Sequence, residues 1–170
     1  MTNSFLSRKA TSEGDRRVWT YSCWFKGHVN EYNITYWHWI WNTAENGGII
    51  INMGGSSYDG HLQFYEERDG NPSIKWDPFL RDSKGWYHIH VIQDTTRNSE
   101  EERIRAWVNG NQCNESNDHS PTWPSYNWQG GWNERKYHEI GRWTLGTSRY
   151  MNASICDAYY IDGQALEPQV

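Results

Sequence analysis

The sequence contains no long apolar run and no cluster of positive charge. None of its hydrophobic stretches approaches the roughly 18 residues of a transmembrane helix, and no basic start followed by an apolar stretch marks a secretory signal. The 16 Lys and Arg residues are scattered among 21 Asp and Glu, which gives a net charge of -5. Because nucleic-acid binding needs Lys and Arg grouped against phosphates, we expect neither a nucleic-acid partner nor a membrane span.

Cysteine is scarce as well. The chain has three cysteines, Cys23, Cys113 and Cys156, without the close spacing of a zinc site or a redox pair. Because no secretory signal is visible, we expect synthesis in the cytosol, where thiols stay reduced. The sequence therefore predicts no structural disulfide.

Aromatic side chains are abundant instead. Hydrophobic residues make up only 36% of the chain, but it contains 12 Trp, 11 Tyr and 4 Phe, which carry a large apolar area in few positions. A chain of 170 residues fits one domain, and a domain of this size removes roughly 70% of its unfolded surface from water. We therefore expect residues 1–170 to form a single domain with an aromatic-rich core.

Short strands separated by Gly-containing turns run along the whole sequence. Alternation of apolar and polar residues, the pattern of a half-buried strand, covers residues 18–26, 34–41 and 86–94. The one helical signal, at residues 98–103, amounts to a single turn. Regularly spaced short strands indicate an antiparallel β-sandwich. Further strands are predicted at residues 48–53, 61–66, 73–76, 103–108, 137–142 and 155–161.

Within the strand at residues 34–41, rings occupy alternating positions. Alternation predicts Trp37, Trp39 and Trp41 on one face of the strand and their even-numbered neighbours on the other. One of these faces is expected to meet the core. The other is expected to form a concave surface or an interface.

Five segments resemble, in the same order, the laminin-G-like, concanavalin A-like jelly-roll domain of structural proteins from tailed bacteriophages. The segments are an early strand, a Trp-Tyr-His strand, an Asn-Gly hairpin, an Ile-Gly-Arg turn and a terminal Ile-Asp-Gly-Gln-Ala-Leu stretch. In this sequence they fall at residues 18–26, 81–96, 103–110, 139–142 and 159–168. The resemblance implies an all-β, concanavalin A-like jelly roll with at most one short helical turn. In such a fold the first and last parts can lie side by side, which leaves a Cys23–Cys156 disulfide open as an alternative.

The resemblance also implies a function. We expect a non-enzymatic virion structural protein that decorates or attaches at the capsid or tail surface, made in the host bacterial cytoplasm. Its expected partners are other virion proteins, further copies of this chain and host-cell polysaccharide. The alternatives left open are a free-standing carbohydrate-binding lectin and a β-glucan hydrolase.

The segment at residues 111–136 is long, polar and without evident strands, which is often a sign of function. Aromatic rings stack on sugar faces, while Asn, Asp and backbone groups bind hydroxyls. The rings of this loop therefore predict a glycan contact, and the alternatives are a contact with another virion subunit and internal packing. These candidate residues are Trp123, Tyr126, Trp128 and Trp132.

Metal binding has weak candidates in the sequence. His88 and His90 are two residues apart on a predicted strand, so both face the same way, but no third ligand is evident. No cofactor is expected, although jelly rolls of this kind in some cases hold calcium at one rim through oxygen ligands. The candidate oxygen ligands are Asp94, Asn109, Asp118 and Asp157.

Catalytic carboxylates are not evident. Jelly-roll laminarinases use two carboxylates a few residues apart on one strand. Here Glu66 and Glu67 are adjacent, so a strand sends them to opposite faces. The chain is therefore not expected to be an enzyme.

Overall fold

A computed structural model of the protein describes residues 4–28, 36–44, 47–53, 59–68, 70–77, 79–143 and 150–169, and at positions 36, 37, 52, 53 and 59 the backbone alone. Across these ranges the chain forms strands and no helix, so none of the described residues belongs to a helix that could cross a membrane. The predicted turn at residues 98–103 is a single hydrogen-bonded turn, in which the Arg103 N–H donates to the Glu100 carbonyl at 3.1 Å.

The strands are β1 (Leu6–Lys9), β2 (Val18–Gly27), β3 (Tyr36–Thr43), β4 (Gly47–Met53), β5 (Asp59–Glu66), β6 (Ser73–Trp76), β7 (Tyr87–Asp94), β8 (Ile104–Val108), β9 (Asn111–Gln112), β10 (Tyr137–Ile140) and β11 (Ala153–Asp162). One sheet has the order β1-β10-β3-β4-β5-β6 and the other has the order β11-β2-β7-β8-β9. Every pairing within them is antiparallel. The predicted all-β antiparallel sandwich is therefore confirmed.

A shared core lies between the two sheets. Alternation along β2 sends every second side chain inward, because successive residues of a strand point to opposite faces. Trp132, which belongs to no strand, fills the space between the layers, with its ring centroid 5.2 Å from that of Trp19 and 6.3 Å from that of Phe64. The fully buried residues of the core include Trp19, Tyr21, Cys23, Phe25, Ile49, Ile51, Phe64, Ile74, Ile89, Val91 and Trp132.

Every predicted strand is present, and most ends differ from the prediction by one or two residues. The strand predicted at residues 34–41 is β3, whose positions 34 and 35 lie outside the described residues. Two strands were not predicted. β1 is exposed along its whole length and β9 has two residues, so neither has an apolar pattern that marks it in the sequence.

The predicted alternation of rings in β3 is wrong at Trp41. The pairing of β3 with β4 shifts between Trp39 and Trp41, which marks a β-bulge at Ile40. As a result Trp41 packs against the core cluster beside Ile40, whereas Trp39 stacks on Trp143. The side chain of Trp37 lies outside the described part of the chain.

All three cysteines are free. In the register of β11 with β2, Cys156 lies opposite Trp24 and is exposed, whereas Cys23 points into the core. The two thiols therefore face opposite sides of the same sheet, and the Cys23–Cys156 alternative does not apply.

Candidate functional site

The structure places most of the candidate rings of the 111–136 segment inside the molecule. Trp132 is 0% exposed and Trp128 is 6% exposed, and both belong to the core cluster. A side chain with no exposed surface offers a ring face to no glycan and no neighbouring subunit. For these two residues the geometry matches internal packing, which was the third alternative.

Tyr126 is the exposed ring of this segment, with 56% of its surface accessible. Trp123 packs partly against the core. The segment around them is held to the sandwich, because Arg103 donates to the Pro124 carbonyl at 2.8 Å and the Asn127 N–H donates to the Thr95 carbonyl at 2.8 Å. The expected glycan or subunit contact at this loop therefore stays a prediction, and it depends on Tyr126 and the accessible edge of Trp123.

Both histidines of the pair on β7 contact other groups of the protein. The ring centroids of His88 and His90 are 6.2 Å apart, and each ring is engaged by another group. His88 Nε2 lies 2.8 Å from Ser22 Oγ, and His90 Nε2 donates to the Leu166 carbonyl at 2.7 Å. In the described part of the chain no three His, Cys, Asp or Glu side chains are grouped to hold a metal ion.

The candidate oxygen ligands are also dispersed. The carboxylate of Asp94 accepts hydrogen bonds from Thr96 and Arg97, and that of Asp118 accepts from Ser116 and Lys75. The remaining two lie elsewhere: Asn109 Oδ1 accepts from the His88 backbone, and Asp157 lies in the bulge of β11 with φ 49°.

A cavity of about 260 Å³ lies at the open side of the sandwich. Here β10 and β3 of the six-stranded sheet face β11, the edge strand of the five-stranded sheet. Arg8 of β1 and residues 10–14 after it line the outer side of the cavity. The remaining lining residues are Trp41, Asn133, His138, Tyr160 and Asp162.

Two parallel rings form one wall of this cavity. The rings of Trp41 and Tyr160 stack with centroids 5.1 Å apart and an interplanar angle of 7°. Behind them, the Trp132 ring stacks on Trp41 at 6.2 Å and 19°. The bulge at Ile40 is what turns Trp41 toward this position, since regular alternation would place it on the other face of β3.

Three polar atoms of the cavity residues have no hydrogen-bond partner among the described residues. They are Trp41 Nε1, His138 Nε2 and the Tyr160 hydroxyl, and all three are shielded from solvent. Burial lowers the pKa of His138, so its ring is neutral at pH 7. His138 Nδ1 donates to the Lys136 carbonyl at 3.1 Å, and the backbone groups of Lys136 and Gly131 both act against the lowering of the pKa.

Residues 10–14, which we call the strap, are anchored at both ends to the turn before β10. The Ala10 N–H donates to the Lys136 carbonyl at 3.2 Å, and the Gly14 N–H donates to the Asn133 carbonyl at 3.0 Å. Residues 11–13 between these anchors are exposed. The strap is therefore held to the turn before β10 at its two ends, and its middle is exposed to solvent.

Asp162 and Asn133 secure the end of the strap. Asp162 Oδ1 accepts from the Asp15 N–H at 2.8 Å and from Asn133 Nδ2 at 2.7 Å. The same Asn133 amide also donates to the Asp15 carbonyl at 2.6 Å. Asn133 adopts φ 62°, a left-handed conformation that Asn tolerates better than most residues. The carboxylate of Asp162 thus belongs both to the cavity lining and to the anchor of its outer wall.

The electrostatic potential at Tyr160 is negative. Burial raises the pKa of the Tyr160 phenol well above its usual value, and the carboxylates of Asp162, Asp15 and Glu66 raise it further. The phenol therefore stays protonated and keeps its hydrogen as a donor. Among the described residues that line the cavity, Arg8 is the one permanent cation, against the carboxylates of Glu13 and Asp162.

Glu66 is a buried carboxyl group behind the cavity. Its Oε1 accepts from the Gly131 N–H at 2.6 Å, while Oε2 has no partner among the described residues. Burial raises the pKa of Glu66 to about 7, and the Gly131 hydrogen bond, Arg68 and Arg16 limit that rise. Its neighbour Glu67 is exposed, so the two carboxylates do lie on opposite faces as predicted.

The sequence marks Trp41 as a ring of the 34–41 strand and includes Tyr160 and Asp162 in the terminal segment at residues 159–168, but it does not place them in one site. Trp41, His138 and Tyr160 come from three strands that are far apart in the chain and meet through the pairings of the sandwich. No spacing along the sequence marks such a set.

No protein-family model and no curated protein matches the sequence. Among solved structures, a native heptameric SAP-like pentraxin from Limulus polyphemus is similar, with a TM-score of 0.55 and 18% sequence identity. The alignment covers 94% of this chain and 70% of the pentraxin chain. At this identity the likeness shows the fold alone, and the predicted jelly-roll fold is thereby confirmed.

Proposed function

We propose that this protein is a non-enzymatic, lectin-like binding protein that holds a saccharide in the cavity between β11 and β10. The observation that carries the proposal is the set of unpartnered polar atoms beside two stacked rings. Trp41 Nε1 is a donor, and the Tyr160 hydroxyl is both a donor and an acceptor.

This mixture of donor and acceptor favours a hydroxyl-bearing ligand. A fully ionised phosphate only accepts hydrogen bonds and cannot donate to the Tyr160 hydroxyl oxygen, and an ammonium group only donates and cannot accept from Trp41 Nε1. A sugar hydroxyl does both. The apolar face of a sugar ring also matches the aromatic wall formed by Trp41 and Tyr160.

The proposal extends to a bacteriophage particle on the strength of the resemblance of residues 81–96, 103–110 and 159–168 to domains of virion proteins. In this proposal residues 1–170 act as a single domain on the capsid or tail surface, and the saccharide belongs to the host cell. The heptameric assembly of the similar pentraxin supports a homo-oligomer.

A glycan array on the parent protein and two variants tests the binding site. Tyr160→Phe removes one hydroxyl and keeps the ring, so the affinity for the bound saccharide should fall about tenfold. Tyr126→Ala, in the exposed loop, should bind as the parent does. The opposite pattern would move the site to the loop, and a parent that binds no saccharide would refute the proposal.

The virion role has its own test. The protein should be found by mass spectrometry in purified phage particles, and analytical ultracentrifugation of the purified chain should show an oligomer. A strictly monomeric protein that is absent from particles would contradict this part of the proposal. A reducing-sugar assay on the bound glycan should show no turnover.

A further inference from the structure

We infer that the cavity takes the terminal residue of a glycan, as one hexose without an acidic group, and not an internal stretch of a chain. This inference rests on the proposed saccharide function and deepens it. It comes from three properties of the site: its volume, the way the strap closes it, and the sign of the charges around it.

The volume limits the ligand to about one sugar ring. Pockets that enclose drug-sized ligands typically measure about 300–1,000 Å³. The cavity, at about 260 Å³, lies below that range. A second sugar residue must therefore remain outside, in solvent or against the exposed residues 11–13 of the strap.

The strap lines one side of the cavity and is held there at both ends. Its two ends are hydrogen-bonded to the turn before β10, through Ala10 to Lys136 and Gly14 to Asn133. The opposite wall is the packed pair of Trp41 and Tyr160, with Trp132 behind it in the core. An internal stretch of a polysaccharide needs both an entrance to the site and an exit from it. A site with the anchored strap on one side and the core on the other accepts the end of a glycan chain.

The charges around the cavity disfavour an acidic sugar. Glu13 and Asp162 line the cavity with Arg8 as the one cationic lining residue. Besides burial, the carboxylates of Asp162 and Asp15 raise the pKa of Tyr160, so both lie close to its hydroxyl. A uronate or sialate carboxylate would add a further negative charge to this site. A neutral hexose adds none, and its hydroxyls are the groups that the unpartnered atoms need.

Glu13 offers a way to change the charge without disturbing the hydrogen bonds of the strap. It lies in the exposed middle of the strap, while the anchor bonds involve Asp162, Asn133 and Asp15. Glu13→Gln therefore removes one negative charge of the lining and leaves the anchor unchanged. Asp157→Asn is the matched control, because it makes the same change of charge on β11 at a residue that does not line the cavity, with φ 49°, which Asn tolerates.

The experiment measures binding of a panel of methyl glycosides by isothermal titration calorimetry and by tryptophan fluorescence. The panel contains neutral hexoses, hexosamines and uronic acids, beside the longer glycans bound on the array. At least one neutral methyl hexoside should bind within about tenfold of the affinity of the longer glycan that ends in it, and the matching uronic acid should bind more weakly. Glu13→Gln should strengthen uronic acid binding about threefold at low salt, and Asp157→Asn should leave it unchanged.

The outcomes separate this inference from the proposed function. If longer glycans bind on the array and no methyl hexoside binds, the site reads a chain interior and the terminal assignment is wrong. If a uronic acid binds best, the charge assignment is wrong. If neither the glycans nor the methyl glycosides bind, the saccharide function itself fails.

Discussion

At the scale of single residues, the cavity is notable for polar groups that have no hydrogen-bond partner among the residues that the structure describes. A buried hydroxyl without a hydrogen bond lowers the free energy of unfolding. This loss is recovered when the hydroxyl is removed or when a ligand forms a hydrogen bond with it. Tyr160 is such a residue. Tyr21 is its natural counterpart, because its buried hydroxyl donates to the Ile40 carbonyl at 2.9 Å.

We predict opposite effects of removing these two hydroxyls on stability. Tyr160→Phe should leave the free energy of unfolding unchanged or raise it by up to about 1 kcal/mol, since no bond is lost. Tyr21→Phe should lower it by about 1 kcal/mol, because the Ile40 carbonyl loses its donor. Urea unfolding of both variants measures the difference. A loss in Tyr160→Phe as large as in Tyr21→Phe would mean that the Tyr160 hydroxyl is already paired in the free protein.

Glu66 predicts a dependence of stability on pH. Its pKa is raised to about 7 in the folded protein from an ordinary value of 4.5, so the folded state retains a proton that the unfolded state has already released. The contribution of protonated Glu66 to the free energy of unfolding is therefore fully present below pH 4.5. It is lost as the pH rises from 4.5 to 7, and the loss is complete above pH 7. The total loss is about 3 kcal/mol. Glu66→Gln cannot ionise, and its side-chain carbonyl can still accept from Gly131, so the variant should lack this loss.

Chemical unfolding between pH 4.5 and pH 8 checks this expectation. The parent and Glu66→Gln should have similar stability at pH 4.5, and the variant should be the more stable protein at pH 8. Glu67→Gln changes the exposed neighbour and should follow the parent across the range. If Glu66→Gln lost stability with rising pH as steeply as the parent does, the carboxyl would have to be assigned an ordinary pKa.

At the scale of elements, the strands were predictable because a sandwich strand is half buried. Alternation identified β2 and β7, whose inward residues form the core. It was wrong at Trp41, because a bulge inserts one residue and shifts the face of everything after it. A bulge depends on the partner strand and leaves no alternation of its own, and this is why the ring wall of the cavity was not predicted.

The burial of the rings in the 111–136 segment was not predicted for a similar reason. A polar stretch with Trp128 and Trp132 reads as an exposed loop, because its surroundings are Asn, Ser and Gly. The structure buries these two rings under the open end of the sandwich, where the strands alone do not fill the core. Composition thus predicted an irregular segment, which begins after the unpredicted strand β9, and said nothing about the direction of its rings.

The strap provides the prediction at this scale. A methyl group on Gly14 would collide with Asp162 Oδ2, so Gly14→Ala must displace the carboxylate that accepts from Asp15 and Asn133. We expect a loss of about 1 kcal/mol of stability. We also expect faster hydrogen exchange of the Asp15 amide and weaker saccharide binding.

Thr11→Ala is the control for this variant, since it shortens an exposed side chain on the same strap. It should leave the stability and the exchange of the Asp15 amide unchanged. Hydrogen exchange followed by NMR reports on the strap without any ligand. Unchanged protection of the Asp15 amide in Gly14→Ala would show that the anchor does not hold the strap.

At the scale of the whole molecule, a ring from a loop packs against both sheets. Trp132 contacts Trp19 of the five-stranded sheet and both Trp41 and Phe64 of the six-stranded sheet. Close packing on all sides means that truncating this side chain leaves a cavity that the rigid strands cannot collapse to fill. The stability of the sandwich therefore depends on a residue that lies in a loop.

We predict that Trp132→Ala lowers the free energy of unfolding by about 3–5 kcal/mol. Tyr126→Ala, in the same loop, should change it by less than about 0.5 kcal/mol, because its ring is exposed and bound to nothing that the fold requires. Urea unfolding followed by circular dichroism compares the two. Equal small effects would mean that Trp132 is free to turn outward as a contact residue, as the sequence first suggested. A large loss in Trp132→Ala alone would establish that this loop closes the core, with its outer surface left to Tyr126.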